Sequence, residues 1–340
     1  NTISAVVVAG NTVYIQNGTY VKVGANAYVL TISVSGGDGT PIKWIGYITN
    51  HSTIPTGTDR PIFDGNANTT NCLVLGSSSD GQSFENIRFT NATGANVAGG
   101  GSSTPGNRFI NCKFDTSATD GVSLGASAIF IGCEFSANSD SGFDSSNSLL
   151  FTFYNCYSHD NTGAGFRDTN TGGSTTSHFS IADTNSADGF VNGNSGSNFG
   201  SIAYNNTGAG IDGFQMGGNA QAGLTQLTMN CSSINNGAYG FVRTTTTTRV
   251  SYFDYNNYNG NATAGLNNIT AGANDNTTAP TFTDAAGGDF TITSADTALK
   301  GLGFMQSATN GLTGDYQWNI GVDQDDNTAG GASAYTFVGP

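Results

Sequence analysis

The chain has 340 residues, only 10% of them charged, with 49 Gly and a formal net charge of −14 at neutral pH. Good helix formers such as Glu and Lys are rare while Asn, Thr, Ser and Gly are abundant, which excludes helical bundles, coiled coils and Rossmann-type folds. The 21 Phe and 13 Tyr supply apolar area that must be buried, which excludes a disordered chain. Because an acidic chain is repelled by phosphate backbones and anionic lipids, we expect neither nucleic acid nor a membrane as a partner.

Residues 1–80 are predicted to form the opening coils, or cap, of a repeat protein. Short apolar runs alternate there with turn residues such as Asn, Gly and Pro, which is typical of strands joined by tight turns. The predicted strands are Thr12–Gln16, Tyr28–Ile32, Pro41–Ile45, Pro61–Gly65 and Cys72–Leu75.

Residues 81–270 carry the regular repeat. A Gly followed by an apolar residue recurs along this region, and a Cys lies nine residues before several of these glycines. Two markers in register at a period of about 24 residues indicate one solenoid coil per repeat, too short for helices of this composition. The predicted fold is all-β: a single-stranded right-handed parallel β-helix of about 10–12 coils with a terminal cap. The glycine markers are Gly121, Gly142, Gly165, Gly189, Gly210, Gly240 and Gly265.

The repeat makes three predictions about the interior. Gly142, Gly165, Gly189 and Gly240 are expected to adopt positive φ in corresponding turns. Cysteines at one coil position are expected to form an inward-facing ladder, close enough for disulfide bonds to stay open as an alternative. That ladder comprises Cys112, Cys133 and Cys156. One inward column is expected to hold Val97, Val122, Phe143, Phe166, Phe190, Ile211, Phe241 and Leu266.

The pattern loosens after residue 270. Residues 271–322 are predicted to form C-terminal coils or a cap, with strands at Phe290–Thr293 and Gln317–Ile320. Residues 323–340 are predicted to be a tail or an assembly segment, because their aromatic and aliphatic side chains have no coil to join. Docking through this segment predicts a homo-oligomer.

Several segments resemble the pectate-lyase-like right-handed parallel β-helix superfamily. They are Val13–Tyr20, Gly39–Tyr47, Arg60–Gly65, Gly288–Ile292 and Asn319–Asp323. Together with the Asn/Gly/Thr-rich coils, they are most similar to β-helix virion proteins of environmental bacteriophages. The resemblance implies the fold more than the activity, since this fold hosts lyases, hydrolases, tailspikes and virion fibres alike.

Four residues are the candidate catalytic residues if the chain is an enzyme. Polysaccharide lyases need a base that removes the proton next to a uronate carboxylate, and a cation that neutralises this carboxylate. Aligned coils place Asp144 beside Arg167, which is the candidate base, with His159 and Asp160 nearby, and put Asp212 in the Arg167 column. A second aligned column holds Asp115, Ser136, His159 and Ile234. A surface ion pair is nevertheless the favoured interpretation of Asp144 and Arg167.

Metal binding has one candidate segment. Asp323, Asp325 and Asp326 offer oxygen ligands suited to Ca²⁺, although the EF-hand spacing is missing and a solvated acidic turn is the favoured interpretation. The five Cys have no Cys-x-x-Cys spacing, so structural zinc is not expected. No other cofactor is predicted.

The incomplete catalytic set favours a non-enzymatic structural or adhesive protein on the exterior of a bacteriophage particle, as a fibre, spike or decoration. Its expected partners are other virion or filament subunits and a cell-surface polysaccharide. The alternative is a secreted polysaccharide lyase or glycoside hydrolase acting on an acidic glycan, and, if the chain is an enzyme, a lyase is favoured. A further alternative is an extracellular filament or cell-surface subunit. The expected location is the virion exterior or the extracellular space.

Overall fold

A computed structural model describes residues 7–300 with short gaps, then residue 302 and the pairs 305–306 and 316–317. The gaps are residues 23–27, 38, 51–52, 54, 56–58, 78, 100–105, 146, 148, 170–172, 194, 218–225 and 245–250. In the described residues, thirty strands form three parallel sheets of ten strands each. No helix in this part of the chain is long and apolar enough to cross a bilayer.

Each sheet takes every third strand of the chain. The first sheet contains β1 (Thr12–Gln16), β4 (Ile42–Tyr47), β7 (Gln82–Glu85), β10 (Asn107–Ile110), β13 (Ala128–Ile131), β16 (Leu150–Tyr154), β19 (Ser174–His178), β22 (Ser197–Phe199), β25 (Gln226–Met229) and β28 (Ser251–Asp254). The second sheet contains β2 (Thr19–Val21), β5 (Ile62–Asp64), β8 (Arg88–Thr90), β11 (Lys113–Asp115), β14 (Glu134–Ser136), β17 (Tyr157–His159), β20 (Ile181–Asp183), β23 (Ile202–Tyr204), β26 (Ser232–Ile234) and β29 (Asn257–Asn259). The third sheet contains β3 (Tyr28–Ile32), β6 (Asn71–Leu75), β9 (Val97–Gly99), β12 (Val122–Leu124), β15 (Phe143–Ser145), β18 (Phe166–Arg167), β21 (Phe190–Asn192), β24 (Phe214–Met216), β27 (Tyr239–Arg243) and β30 (Ala264–Asn267).

This topology confirms the predicted parallel β-helix. One strand per sheet in each coil means that every strand pairs with the equivalent strand one coil before and one coil after it. At about 4.8 Å between paired strands, ten coils stack to a length of about 45 Å. Backbone hydrogen bonds are therefore satisfied from coil to coil, and no covering layer of helices is needed.

The interior is filled by columns of aromatic rings. In the first sheet, the rings of Phe109 and Phe130 stack with centroids 5.1 Å apart and planes 8° from parallel. In the third sheet, Phe190 and Phe214 stack at 4.7 Å and 3°. Such pairs add about 0.5–1.5 kcal/mol each beyond the burial of their area. The 21 Phe are thus explained by position, since most of the largest fully buried side chains are Phe.

The predicted third-sheet column is confirmed except at one coil. Phe190 pairs with Phe214, and Phe214 pairs with Phe241, so the inward position belongs to Phe214 and the prediction of Ile211 is wrong. This coil has three extra residues before its third-sheet strand. The motif that ends at Ile211 therefore resembles the equivalent motif of another coil in sequence but does not take the same position in the sheet. The same slip misplaced Asp212, because Gln215 holds that outward position.

The prediction of positive φ at the glycine markers is also wrong. None of Gly142, Gly165, Gly189 and Gly240 is in the left-handed region. Their requirement is space: a Cβ on Gly165 would lie 2.6 Å from a carbonyl oxygen one coil away, closer than real Cβ atoms come. Left-handed residues instead flank the second-sheet strands, and many are Asn, which tolerates this conformation well.

A ladder of asparagine side chains closes the corner between the second and third sheets. Each side-chain amide Nδ2 donates to the Oδ1 of the Asn in the next coil at 2.9 Å. The repeat gives every interior amide a donor and an acceptor, which is what buried polar groups require. The members of this ladder are Asn138, Asn161, Asn185, Asn206, Asn236 and Asn261.

The cysteine ladder is confirmed as buried, and its thiols are free. All five cysteines are buried and none forms a disulfide bond. Cys133 Sγ lies 3.2 Å from the Phe109 carbonyl oxygen one coil below, so the thiol acts as a small donor inside the coil. Burial raises the pKa of the Cys231 thiol to about 12 and raises that of Cys112 and Cys133 as well.

The C-terminal segment turns back onto the outside of the second sheet. Its strands β31 (Phe282–Asp284) and β32 (Asp289–Ile292) pair as an antiparallel hairpin, joined by a 3₁₀ turn at Ala285–Gly287. Further along, β33 (Met305–Gln306) pairs with β34 (Tyr316–Gln317). The predicted strand at Phe290–Thr293 thus overlaps β32, and the segment 323–340 lies outside the described residues.

Candidate functional site

The four candidate catalytic residues form two pairs, which lie apart from each other in the structure. Asp144 and Arg167 are register partners on β15 and β18 in the third sheet, as aligned from the sequence. His159 ends β17 in the second sheet and is followed by Asp160. The two pairs therefore belong to different sheets. Asp323, Asp325 and Asp326 lie outside the described residues.

Arg167 is enclosed by carboxylates from three earlier positions of the chain. Its Nε donates to Asp144 Oδ1 at 2.9 Å, and its Nη1 lies 3.3 Å from Asp140 Oδ1. Asp120 approaches Nη2 to 3.7 Å. Although burial opposes it, this set of acids raises the pKa of Arg167, so the guanidinium stays charged. The contacts make Arg167 an ion-pair hub and leave it unsuited to accept a proton.

The acids around Arg167 do not share their charge equally. Burial, and then the neighbouring Asp144 and Asp140, raise the pKa of Asp120 to about 6. Asp120 also accepts a hydrogen bond from the Ser141 backbone N–H at 3.1 Å, which favours its ionised form. The single positive charge of Arg167 thus faces three carboxyl groups and cannot neutralise all of them.

A second group of charged side chains lines the outer face of the second sheet. We call it the charged face, and it comprises the outward residues Arg88, Lys113, Asp115, Glu134 and His159 of strands β8 to β17. Arg88 makes a bidentate pair with Asp115, with Nε–Oδ1 at 3.0 Å and Nη2–Oδ2 at 2.6 Å. Lys113 Nζ donates to Glu134 Oε1 at 2.6 Å. Three basic groups thus project from one sheet within four consecutive coils.

His159 sits at the centre of hydrogen bonds on this face. Its Nδ1 lies 2.8 Å from Asp160 Oδ2 and its Nε2 lies 3.3 Å from Glu134 Oε1. Burial lowers the pKa of His159, but the two carboxylates outweigh it and the pKa is raised above the ordinary 6.5. In return, His159 and Lys113 overcome burial and lower the pKa of Glu134 to about 2. The imidazole is thus held between two acids in a defined orientation.

Tyr157 supports the ring of His159 from one side. The two rings stack with centroids 4.2 Å apart and an angle of 22°. The Tyr157 hydroxyl donates to Asp183 Oδ2 at 3.0 Å, and burial followed by the charge of Asp183 raises the pKa of this phenol. Tyr157 is therefore a neutral platform that fixes the imidazole plane.

The C-terminal hairpin forms a wall at the end of the charged face. Phe290 of β32 lies edge-to-face with Tyr204 at 5.3 Å and with Tyr157 at 6.4 Å. Phe282 of β31 lies 6.1 Å from Tyr204. The charged face is thus open along β8 to β14 and bounded by the hairpin beyond β17.

Sequence reasoning missed most of the charged face. The alignment examined the column that holds Asp115, Ser136 and His159, which the structure confirms. It left out the outward column two residues earlier, where Arg88, Lys113 and Glu134 follow each other. The available signal was composition, because Lys and Glu are rare in this chain and two of them fall at one coil position.

The structural comparison is informative where the sequence comparison is not. No protein-family model and no curated protein matches the sequence. The chain is similar to the crystal structure of pectate lyase Pel9A, with 19% identity and a TM-score of 0.73 over 94% of this chain and 89% of that chain. A rhamnogalacturonan lyase has 18% identity and a TM-score of 0.48, over 74% of this chain and 81% of that one. The A-module of the Azotobacter vinelandii mannuronan C-5 epimerase AlgE6 has 17% identity and a TM-score of 0.48, over 78% and 89%.

The likeness to the pectate lyase confirms the pectate-lyase-like right-handed parallel β-helix fold. The prediction of a non-enzymatic component of a bacteriophage particle is wrong, because the structure that this chain matches over 94% of its length is named as a pectate lyase. The stiff stack that suggested a virion spacer is equally a scaffold that presents outward side chains at fixed spacing. Nothing in the described part of the chain indicates a bacteriophage origin.

Proposed function

We propose that this chain is a secreted polysaccharide lyase that cleaves an acidic glycan on the charged face. One observation carries the proposal: the basic groups of Arg88, Lys113 and His159 gather on one sheet of a fold that matches a pectate lyase over 94% of the chain. A uronate polymer needs both a base and cations at its cleavage site, and this face offers both.

The base in this proposal is His159. Its Nε2 takes the proton from the sugar carbon next to the carboxylate, and the electron pair of that bond forms a carbon–carbon double bond. The bond from the neighbouring carbon to the glycosidic oxygen breaks, and this oxygen leaves as an alkoxide that takes a proton from water. Asp160, 2.8 Å from Nδ1, stabilises the imidazolium that results. Arg167 is not assigned this step, because three carboxylates hold its charge.

Lys113 and Arg88 bind the substrate carboxylate. Lys113 uses one of its three N–H donors in the hydrogen bond to Glu134, and Arg88 uses two of its five in the pair with Asp115. Because Arg88 and Lys113 are register partners on β8 and β11, their remaining donors offer a planar guanidinium and a compact ammonium to the same anion. Glu134 and Asp115 hold both cations in place before the substrate arrives, so little side-chain entropy is lost on binding.

The charged face does not form a calcium cage. Glu134 and Asp115 each already accept from a cation of the protein. Among the described residues, no group of three or more His, Cys, Asp or Glu is arranged to hold a metal ion. We assign the reaction steps to these side chains, and we propose calcium binding at Asp323, Asp325 and Asp326 separately.

The test is an assay of the purified full chain on polygalacturonate, alginate and chondroitin. We expect ultraviolet absorbance from an unsaturated uronate product on at least one of them, and a loss of about a hundredfold or more in His159→Gln. His178→Gln is the matched control, because His178 lies on the outer face of the first sheet and should leave the rate unchanged. New reducing ends without unsaturated product would replace the lyase by a hydrolase. No cleavage, or equal activity in His159→Gln, would overturn the proposal.

A further inference from the structure

A cleft lies between the C-terminal segment and the second sheet, beyond the wall that bounds the charged face. Its volume is about 360 Å³, a size typical of small-molecule sites. One side is formed by the ends of strands β23, β26 and β29, and the other by the segment leading into the hairpin. The lining residues are Tyr204, Ile234, Asn235, Asn259, Ala279, Pro280, Thr281, Phe282 and Ala285.

The apolar part of this cleft is held rigidly. The rings of Tyr204 and Phe282 meet at 6.1 Å and 86°, and both pack against Phe290, which is 3% exposed. The aromatic surface is therefore fixed before a ligand arrives, which reduces the entropy cost of binding.

The polar part is made of neutral groups. The Asn235 side chain is exposed and offers a donor and an acceptor. Asn259 uses its Nδ2 on the Thr277 carbonyl oxygen at 2.7 Å, which leaves its Oδ1 as an acceptor toward the cleft. Among the residues that the structure describes, no charged side chain lines the cleft, so a carboxylate placed there would lose hydration without gaining a cation.

We propose that this cleft binds an uncharged sugar residue of a polysaccharide. A pyranose ring has an apolar C–H face that suits the Tyr204 and Phe282 rings, and hydroxyl groups at its rim that suit the two amides. The shape and neutrality fit such a ring better than they fit a uronate. A proline-rich peptide would also contact aromatic rings, but it would leave the amide-lined rim of the cleft less well used.

The position of the cleft extends the proposed function, on which this step rests. His159, Asp183 and Tyr204 are successive register partners, so Tyr204 lies two coils beyond the proposed base. At about 4.8 Å per coil this is about 10 Å along the sheet. The substrate is therefore a mixed polymer, with a uronate at the charged face and an uncharged sugar a short distance along the chain.

The experiment measures binding, so it does not depend on cleavage. Calorimetric titration of the full chain uses xylohexaose, cellohexaose, laminarihexaose and mannohexaose as probes, with a polyproline peptide as the competing ligand. Ala279→Trp fills the cleft from an exposed position, and Ala286→Trp is the matched control outside it. We expect at least one neutral oligosaccharide to bind about tenfold or more weakly in Ala279→Trp and normally in Ala286→Trp.

A second variant protects against a misfolding artefact. Asn235→Asp keeps a residue that tolerates its left-handed φ of 56° and replaces the amide by a charge. We expect it to weaken the same oligosaccharide while the melting temperature stays unchanged. The inference is overturned by any of three results: none of the neutral oligosaccharides binds, Ala279→Trp binds them as well as wild type does, or only the polyproline peptide binds. If binding is found but the His159→Gln comparison fails, the cleft stands and the assignment of the active site falls.

Discussion

The asparagine ladder predicts an unusually large loss of stability for one small substitution, Asn161→Ala. Asn161 is 1% exposed. Its Oδ1 accepts two hydrogen bonds from Asn138, one from the backbone N–H at 3.0 Å and one from the side-chain Nδ2 at 2.9 Å. Its own Nδ2 donates to Asn185 Oδ1 at 2.9 Å. Alanine leaves the buried Asn138 N–H without an acceptor, at about 1–3 kcal/mol, and removes the two ladder bonds of Asn161, worth about 0.5–1.5 kcal/mol each. We expect a loss of about 2–6 kcal/mol, a large part of the 5–15 kcal/mol of a typical domain.

The assay is equilibrium urea unfolding followed by circular dichroism. Asn68→Ala is the matched control, because it deletes the same amide from an exposed turn where it donates to the Asn66 carbonyl oxygen. We expect less than about 1 kcal/mol for the control. If Asn161→Ala loses no more than the control, the ladder is not a determinant of stability and the reasoning is refuted.

Three further substitutions test packing and charge by the same unfolding assay. Gly165→Ala should cost about 1–3 kcal/mol, because the new Cβ meets a carbonyl oxygen at 2.6 Å, while Gly39→Ala meets nothing within 4 Å and should be nearly neutral. Glu134 has a pKa lowered to about 2, so its contribution to stability is present above its ordinary pKa of 4.5 and is lost as pH falls toward 2. Glu134→Gln should therefore reduce the loss of stability on the acid side. An unchanged loss would contradict the ion-pair network. Asp120 has a pKa raised to about 6, so its ionisation costs stability as pH rises from 3.8 through 6; Asp120→Asn should be more stable than wild type at neutral pH and equal to it below about pH 4.

The sequence predicted the fold well because a β-helix repeats its constraints once per coil. Gly165 must be small where the backbone of the next coil approaches, and Cys133 must fit an interior corner, so both markers recur with the period of the coil. The one error in register, Ile211 in place of Phe214, arose where an insertion copied the local motif. Local sequence cannot reveal which of two similar motifs the neighbouring coils will pair with, because register is decided by contacts between coils.

The candidate site was less predictable for the same physical reason. Arg88, Lys113 and Glu134 belong to separate coils and form no motif in the chain. Only the stacking of β8, β11 and β14 brings them together. The hairpin wall was also hidden, since the contact of Phe290 with Tyr157 joins residues far apart in sequence. Outward positions tolerate many residue types, so periodicity identifies the core and leaves the face undetermined.

The titration of His159 couples activity to stability in opposite directions. As a base it must be neutral, and its pKa is raised above 6.5, so the proposed lyase rate should increase as pH rises through that raised value. As a partner of Glu134 and Asp160 it stabilises the fold only when protonated: the contribution is complete below the unfolded pKa and is lost as pH rises through the folded one. As pH rises through the pKa of His159, the initial rate should therefore rise while the free energy of unfolding falls. His159→Gln should remove both dependences together. If the rate does not change with pH, or if stability falls equally in His159→Gln, the imidazole between these two carboxylates is not the group that titrates.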